Sequence, residues 1–321
     1  MEGGAAGTDM SSMAVAIVSF NTREVLRSCL ISVLAAGASE VVVADNGSTD
    51  GTVQMLRAEF PSIVVHEDPS NPGYGSAANA AIARCRSEYV LLLNSDTVLP
   101  RGALESLTRY LDENPRVAIV GPRLRNPDGT LQRSSHQFPT PYVVLLNYSF
   151  MGPLVGRLPL ARIGYHVATF PHDRARRVDW VVGAALGIRK SAFDAVGGFN
   201  RDFFMYFEEV DLAYRLRQSG WDTHFAPVTD ILHIGGASTR AISSAMFAQE
   251  VAAAIRFFRA HHSESAVAGV RRAFRFAVRS KIVRDAAWYC LALQRERRRE
   301  AAARIGELRR LLVVLREPSP L

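Results

Sequence analysis

Three carboxylates, Glu208, Glu209 and Asp211, stand in the run FMYFEEVDLAYRLRQSGW between Phe204 and Trp221. Carboxylates beside so many bulky apolar residues suit proton transfer in a site that limits water. They equally suit the first turn of a helix, where the N-terminal dipole favours negative charge. Behind them Val210, Leu212, Ala213, Leu216 and Trp221 recur near helical spacing and Gly220 supplies a stop, so the stretch predicts a capped amphipathic helix in either case. Phe204, Tyr206 and Phe207 wall a substrate site or join the core. Three further polar clusters have the residue types of ligand loops: Asp45-Asn46-Gly47-Ser48, Asn71-Pro72-Gly73 and Asn94-Ser95-Asp96.

The elements around these residues explain their placement. MAVAIVSF, EVVVAD, SIVVHED and YVLLLNSD read as short buried strands, and TREVLRSCLISVLAA, VQMLRAEF and GSAANAAIARC as the helices between them. Such alternation predicts a mostly parallel central sheet flanked by helices, with ligands bound at the carboxyl ends of its strands. The polar clusters fall at those ends. Beyond Asp96 the alternation loosens: VAIVGPRLRNPDGTL reads as a strand and turn, VDWVVGAALGIRKSAF as a strand entering a helix, THFAPVTDILHIGG as a strand and loop, and the chain from Ser243 as helical.

Two chemistries fit the strand ends. GYGSAAN matches the glycine pattern of a dinucleotide-binding turn, with Asp96 about twenty residues on; a polar EDPSNP and an earlier strand-turn unit before it weigh against that reading. The other is a nucleotide-sugar site. It needs a group to read the base, a cation for the diphosphate and a base for the acceptor hydroxyl. Magnesium or manganese takes oxygen ligands and leaves positions for phosphate. Asp96 suits that task, and a nearby imidazole would favour manganese. A non-catalytic, lectin-like sugar-binding module is a third reading.

The segments VVVADNGSTDGT, NPGYGSAANAAI, LLLNSDT and FFMYFEEVDLAYRLRQSGW…ILHIGGAS, in this order, resemble family 2 glycosyltransferases, and most of all bacterial rhamnosyltransferase-like members. The resemblance covers about Met13 to Phe258. It implies an α/β GT-A nucleotide-sugar-binding fold and an inverting, metal-dependent transfer from a nucleoside-diphosphate sugar donor, dTDP-rhamnose being favoured, to a glycan or lipid-linked (polyprenyl) acceptor in cell-envelope polysaccharide synthesis. It puts Asp45 on the base, with Asn46, Asn71, Gly73, Asn79, Asn94 and Ser95 on the donor. Asp96 matches the second acid of the family's D-x-D, the first being Asn94 here, and would hold Mg2+ or Mn2+ with His233. The family's E-D pair is Glu208-Glu209 in this chain, which gives Glu209 the base role and leaves Asp211 to orient or stabilise the helix. Asp179, Trp180 and Gly183 match the acceptor and sugar side.

The composition of the 321 residues is that of a globular chain, 48% hydrophobic and 21% charged. Residues 1–12 read as a flexible lead-in, 13–258 as the GT-A domain and 259–321 as a basic helical C-terminal appendage. Cys29, Cys85 and Cys290 have no disulfide or metal spacing, which predicts a reducing compartment. The start lacks a secretory signal, and no apolar run is long enough to span a bilayer. The net charge of +7 concentrates after Arg256. No nucleic-acid module accompanies the arginines, so nucleic acid is not expected. An anionic membrane surface fits them, together with the uncharged stretch between Arg133 and Arg157, whose Tyr142, Val143, Leu145, Leu146 and Phe150 would dip into the interface. The expected location is cytoplasmic, peripheral at the inner face of the cell membrane. A helical bundle on the catalytic domain or a homodimer interface is the alternative use of the tail.

Overall fold

The computed structural model describes residues 13–149, 172–235, 244–291 and 295–315. The lead-in of residues 1–12 and Phe150 lie outside them. The described residues cluster into two compact units, one of residues 13–135, 172–204 and 208–235, the other of residues 136–149, 205–207, 244–291 and 295–315.

The first unit begins with the expected alternation: β1 (Met13–Ser19), α1 (Arg23–Ala35), β2 (Val41–Asp45), α2 (Thr52–Glu59), β3 (Val64–Glu67), α3 (Tyr74–Ile82) and β4 (Tyr89–Asn94). Every residue of β1 and β2 is buried, as strands covered on both faces require. Leu26, Cys29, Leu30 and Val33 of α1, one helical stripe, are buried against this core. There follow β5 (Thr97–Val98), α4 (Ala103–Glu113), β6 (Val117–Arg125), β7 (Leu131–Gln132) and β8 (Ser135–His136).

Helix α5 (Pro141–Tyr148) belongs to the second unit; the first resumes with β9 (Arg176–Val178), β10 (Trp180–Val181), β11 (Ala185–Arg189), α6 (Lys190–Ala195), α7 (Glu208–Gln218) and β12 (Asp222–His233). Ten of these strands form one sheet in the order β3-β2-β1-β4-β11-β6-β12-β5, with β7 on β6 and β9 on β12. Strands β3, β2, β1 and β4 are mutually parallel. β11 enters antiparallel between β4 and β6. At the far edge β12 runs parallel to β6 and antiparallel to β5, with His233 opposite Thr97.

In the second unit α5 is joined by α8 (Ser244–His261), α9 (Glu264–Leu291) and α10 (Arg295–Val314). Pro141 opens α5, and the Thr140 hydroxyl caps it by accepting from Val143 N–H at 3.1 Å. Val143, Val144 and Leu146 are buried, and the Tyr148 ring packs 5.0 Å from that of Phe274. This corrects the expectation for Val143 and Leu146, which fill this core and are unavailable to a membrane. Tyr142 stays 51% exposed. Among the described residues no helix is long and apolar enough to cross a membrane.

Candidate active site

The parallel strands deliver the donor-side residues. Asp45 ends β2, and Asn46 N–H bonds to Ser19 O at the end of β1 at 2.9 Å. The Asp45 carboxylate is buried and accepts from Ser48 N–H at 2.8 Å and from the Ser48 hydroxyl at 2.6 Å, so it shapes its own turn. Asn46 donates to Gly73 O at 3.4 Å, and its Oδ1 is buried with no hydrogen-bond partner. An orphaned buried acceptor of this kind invites a donor from a ligand. Asn71 and Gly73 both have positive φ, 49° and 90°. Gly73 is sterically required: a Cβ there would lie 2.3 Å from Phe204 O, where Tyr74 N–H makes its 2.9 Å bond.

Asn79 is a correction. Its amide donates to Phe199 O and its Oδ1 accepts from Phe199 N–H, both at 2.8 Å, so it braces a loop instead of facing a donor. Asp211 is a second brace. Fully buried, it pairs with Arg215 at 2.7 Å, and Arg215 donates to Val196 O and Gly198 O of the same loop, each at 2.6 Å. Of the two roles expected for Asp211, catalytic and orienting, the geometry supplies the second. Asp179 forms an ion pair with Arg217, and its neighbour Trp180 starts β10, half-buried.

The candidate metal pair is assembled by the sheet edge. β4 stops at Asn94, leaving Ser95 and Asp96 buried before β5. Ile234 N–H bonds to Asp96 O at 2.9 Å, and His233 Nε2 lies 3.2 Å from Asp96 Oδ1. A chain of hydrogen bonds sets the imidazole. Thr130 Oγ donates to Asp128 at 2.6 Å and accepts from Asn126 Nδ2 at 2.9 Å; Asn126 Oδ1 accepts from Gln132 Nε2 at 3.2 Å. Gln132 Oε1, 2.7 Å from His233 Nδ1, must then accept its proton. In the neutral ring Nε2 therefore turns a lone pair towards a carboxylate oxygen, an arrangement that repels unless a proton or cation lies between. The donor set fits a divalent cation, with a hydrogen-bonded partner behind the histidine as metal-bound imidazoles require. Among the described residues no cluster of three or more His, Cys, Asp or Glu side chains could hold a metal. Asp96 and His233 would thus leave most positions to other oxygens, as phosphate-bridging cations do.

The acidic pair opens α7. Tyr206 and Phe207, just before it, both take left-handed conformations, φ 69° and 65°, each costing about 1–3 kcal/mol in residues with side chains. Glu208 is 7% exposed with Oε2 unpartnered, and burial, reinforced by the Glu209 charge, raises its carboxyl well above the usual range. Glu209 is less buried. The Tyr74 hydroxyl borders this pair across Gly183. It donates to Gly183 O at 3.1 Å, and its ionisation is opposed first by burial and then by Glu208, Glu209 and Asp96. A Cβ on Gly183 would be 3.9 Å from both Glu209 Oε1 and the Tyr74 hydroxyl, so this glycine keeps the space between them open.

The structure thus brings Gly183, Glu208 and Glu209 beside Tyr74, pairs Asp96 with His233, and sets Asp45, Asn46 and Gly73 at strand ends. Sequence reasoning missed Tyr74, Gln132, Asn126 and Arg215. Tyr74 was flanked by its two glycines; Gln132 had a signal in NPDGT, a hairpin that returns the chain along β6.

The sheet and strand-end sites define a GT-A glycosyltransferase. Residues 14–173 match the family described as Glycosyl transferase family 2. The chain is 33% identical over 213 residues to N-acetylglucosaminyl-diphospho-decaprenol L-rhamnosyltransferase of Mycobacterium tuberculosis, covering 62% of this chain and 67% of that one. It resembles the solved structure of the mannosyltransferase PcManGT from Pyrobaculum calidifontis in complex with GDP-Man and Mn2+, at TM-score 0.56, 15% identity, 97% of this chain and 89% of that. It also resembles that of GalNAc-T7 with UDP, GalNAc and Mn2+, at TM-score 0.59, 14% identity and 86% of this chain, though it spans only 51% of that one. The chain belongs to glycosyltransferase family 2. The dinucleotide reading falls with this: Gly73 and Gly75 follow the third strand of the sheet, not the first.

Proposed function

We propose that the protein transfers a sugar with inversion from a nucleoside-diphosphate donor to a hydroxyl of a glycan or polyprenyl-linked acceptor, rhamnose from dTDP-rhamnose being the favoured donor. The single observation that carries this is the pairing of His233 with Asp96 at 3.2 Å at the end of the sheet that also carries Gly183, beside which Glu209 Oε1 and the Tyr74 hydroxyl lie. The mycobacterial relative's name supports rhamnose and a lipid-linked acceptor. Both structural neighbours hold Mn2+, which supports a divalent cation, Mg2+ or Mn2+, on Asp96 and His233. A lipid-linked acceptor would be met at a membrane surface, and this reading takes that surface to be the inner face of the cell membrane.

In this reading Glu209 accepts the acceptor proton as the hydroxyl oxygen bonds to the anomeric carbon and the bond to the diphosphate breaks. Glu208 is the weaker choice of base, since burial and the neighbouring Glu209 charge favour the protonated form of its carboxyl. A bound cation supplies charge neutralisation to the departing diphosphate. Asn46 and Gly73 border the donor, and Gly183 leaves room at the acceptor hydroxyl.

The test is a panel of nucleotide sugars scored for nucleoside-diphosphate release with and without metal. Acceptor-dependent, metal-dependent release from one donor is expected. Release that is indifferent to metal and unaffected by Asp96→Ala would overturn the reading of Asp96 and His233.

A further inference from the structure

We infer that the face of α9 bordering α5 is a docking surface for the anionic headgroups of a lipid bilayer, which deepens the membrane placement proposed above. A groove of about 650 Å³ lies between the two helices, floored by Pro141, Leu145 and Ala273. Gly269 lets the helices close on each other, since a Cβ there would stand 3.1 Å from the Pro141 ring. Arg272, Arg275 and Arg279 edge the groove, and none is ion-paired to a described residue. Like charge is crowded here: burial and then neighbouring Arg259 and Arg275 hold Arg271 below the usual guanidinium range. From Arg256 to Asp285 the sequence sets eight basic residues against two acids, Glu264 and Asp285, the second of which pairs with Arg284 at 2.8 Å.

The apolar residues decide what covers the cations. Arg272, Phe276, Arg279 and Val283 follow at i, i+4, i+7 and i+11 and form one exposed line, with Phe276 53% and Val283 67% accessible. A soluble phosphate would satisfy the arginines and leave Phe276 and Val283 in water. A bilayer surface satisfies both, with headgroup phosphates on the guanidinium groups and the apolar side chains below them.

The experiment is co-sedimentation of the full chain with phosphatidylcholine vesicles, with or without phosphatidylglycerol. Binding is expected only to the anionic vesicles, falling with salt. Arg272→Gln with Arg279→Gln should weaken it about thirtyfold, about fivefold per arginine. Phe276→Ser should weaken it about tenfold. A charge-matched control, Arg101→Gln with Arg109→Gln in the first unit, should bind as the unaltered chain does. These are exposed positions, and circular dichroism checks that each variant is folded. Several outcomes overturn the inference: equal binding to neutral vesicles, no binding to either, an equal loss in the control, or a dimer in solution that the groove variants dissociate. Transfer to a short-chain soluble acceptor should be unchanged in the groove variants. A protein that binds anionic vesicles but consumes no donor would sink the proposed function and leave the docking surface standing.

Discussion

Glu208 and Glu209 are adjacent in sequence and unequal in surroundings, and the inequality separates their roles. Glu209→Gln should abolish transfer while leaving donor binding intact, read by turnover and by calorimetric titration of the donor. Glu208→Gln should retain turnover. It should also melt higher than the parent at pH 8: the folded carboxyl binds its proton more tightly than the unfolded one, so native stability falls as pH rises above the ordinary carboxylate range, and the amide escapes that loss. If Glu208→Gln is the inactive variant, the base has been placed one residue too late. Behind the metal pair, Gln132→Leu should weaken Mn2+ binding ten- to a hundredfold by electron paramagnetic resonance, and Gln132→Glu, which still accepts from Nδ1–H, should restore much of it. The acids and His233 were legible in the sequence because their types and order carry a resemblance. Gln132 and Arg215 were not, since each acts through a partner far along the chain. Asn79 misled because an amide near a glycine turn looks the same whether it faces a ligand or the Phe199 backbone.

The elements show the same division. The first four strands could be read directly, because buried parallel strands are continuous apolar runs punctuated by helices. The antiparallel entry of β11 between β4 and β6 could not: ALGIR is apolar in either direction, and its neighbours are chosen by long-range packing. Nor could the close approach of the α3 turn to Phe204. That approach, together with a backbone conformation (φ 90°, ψ 168°) open essentially only to glycine, sets Gly73 apart from Gly102 (φ 76°, ψ 1°). Gly102→Ala, with φ 76° and open space around its Cβ, should cost about 1–2 kcal/mol for the left-handed backbone alone. Gly73→Ala adds a collision with the Phe204 carbonyl and should lose about 3 kcal/mol or more. Urea unfolding of the two variants compares them; equal losses would mean that the α3 turn yields easily.

At the scale of the molecule, Asp96 and His233 belong to strands made at very different times. Asp96 follows β4, whereas His233 ends β12, the last strand of the sheet, after α7 has supplied the acids. A chain leaving the ribosome therefore carries the parallel strands, Asp45 and Asp96 well before it carries a histidine or a base to work with them. A cation on both residues should raise the melting temperature of the first unit, because such binding exists only once β12 has docked; scanning calorimetry with and without Mn2+ would show it, and Asp96→Ala should erase the shift. On the proposed roles, a nascent or prematurely terminated chain ending before β12 would carry Asp96 and Glu209 but not His233, so the topology would withhold completion of the cation pair, and with it release of the activated sugar, until the sheet is fully made.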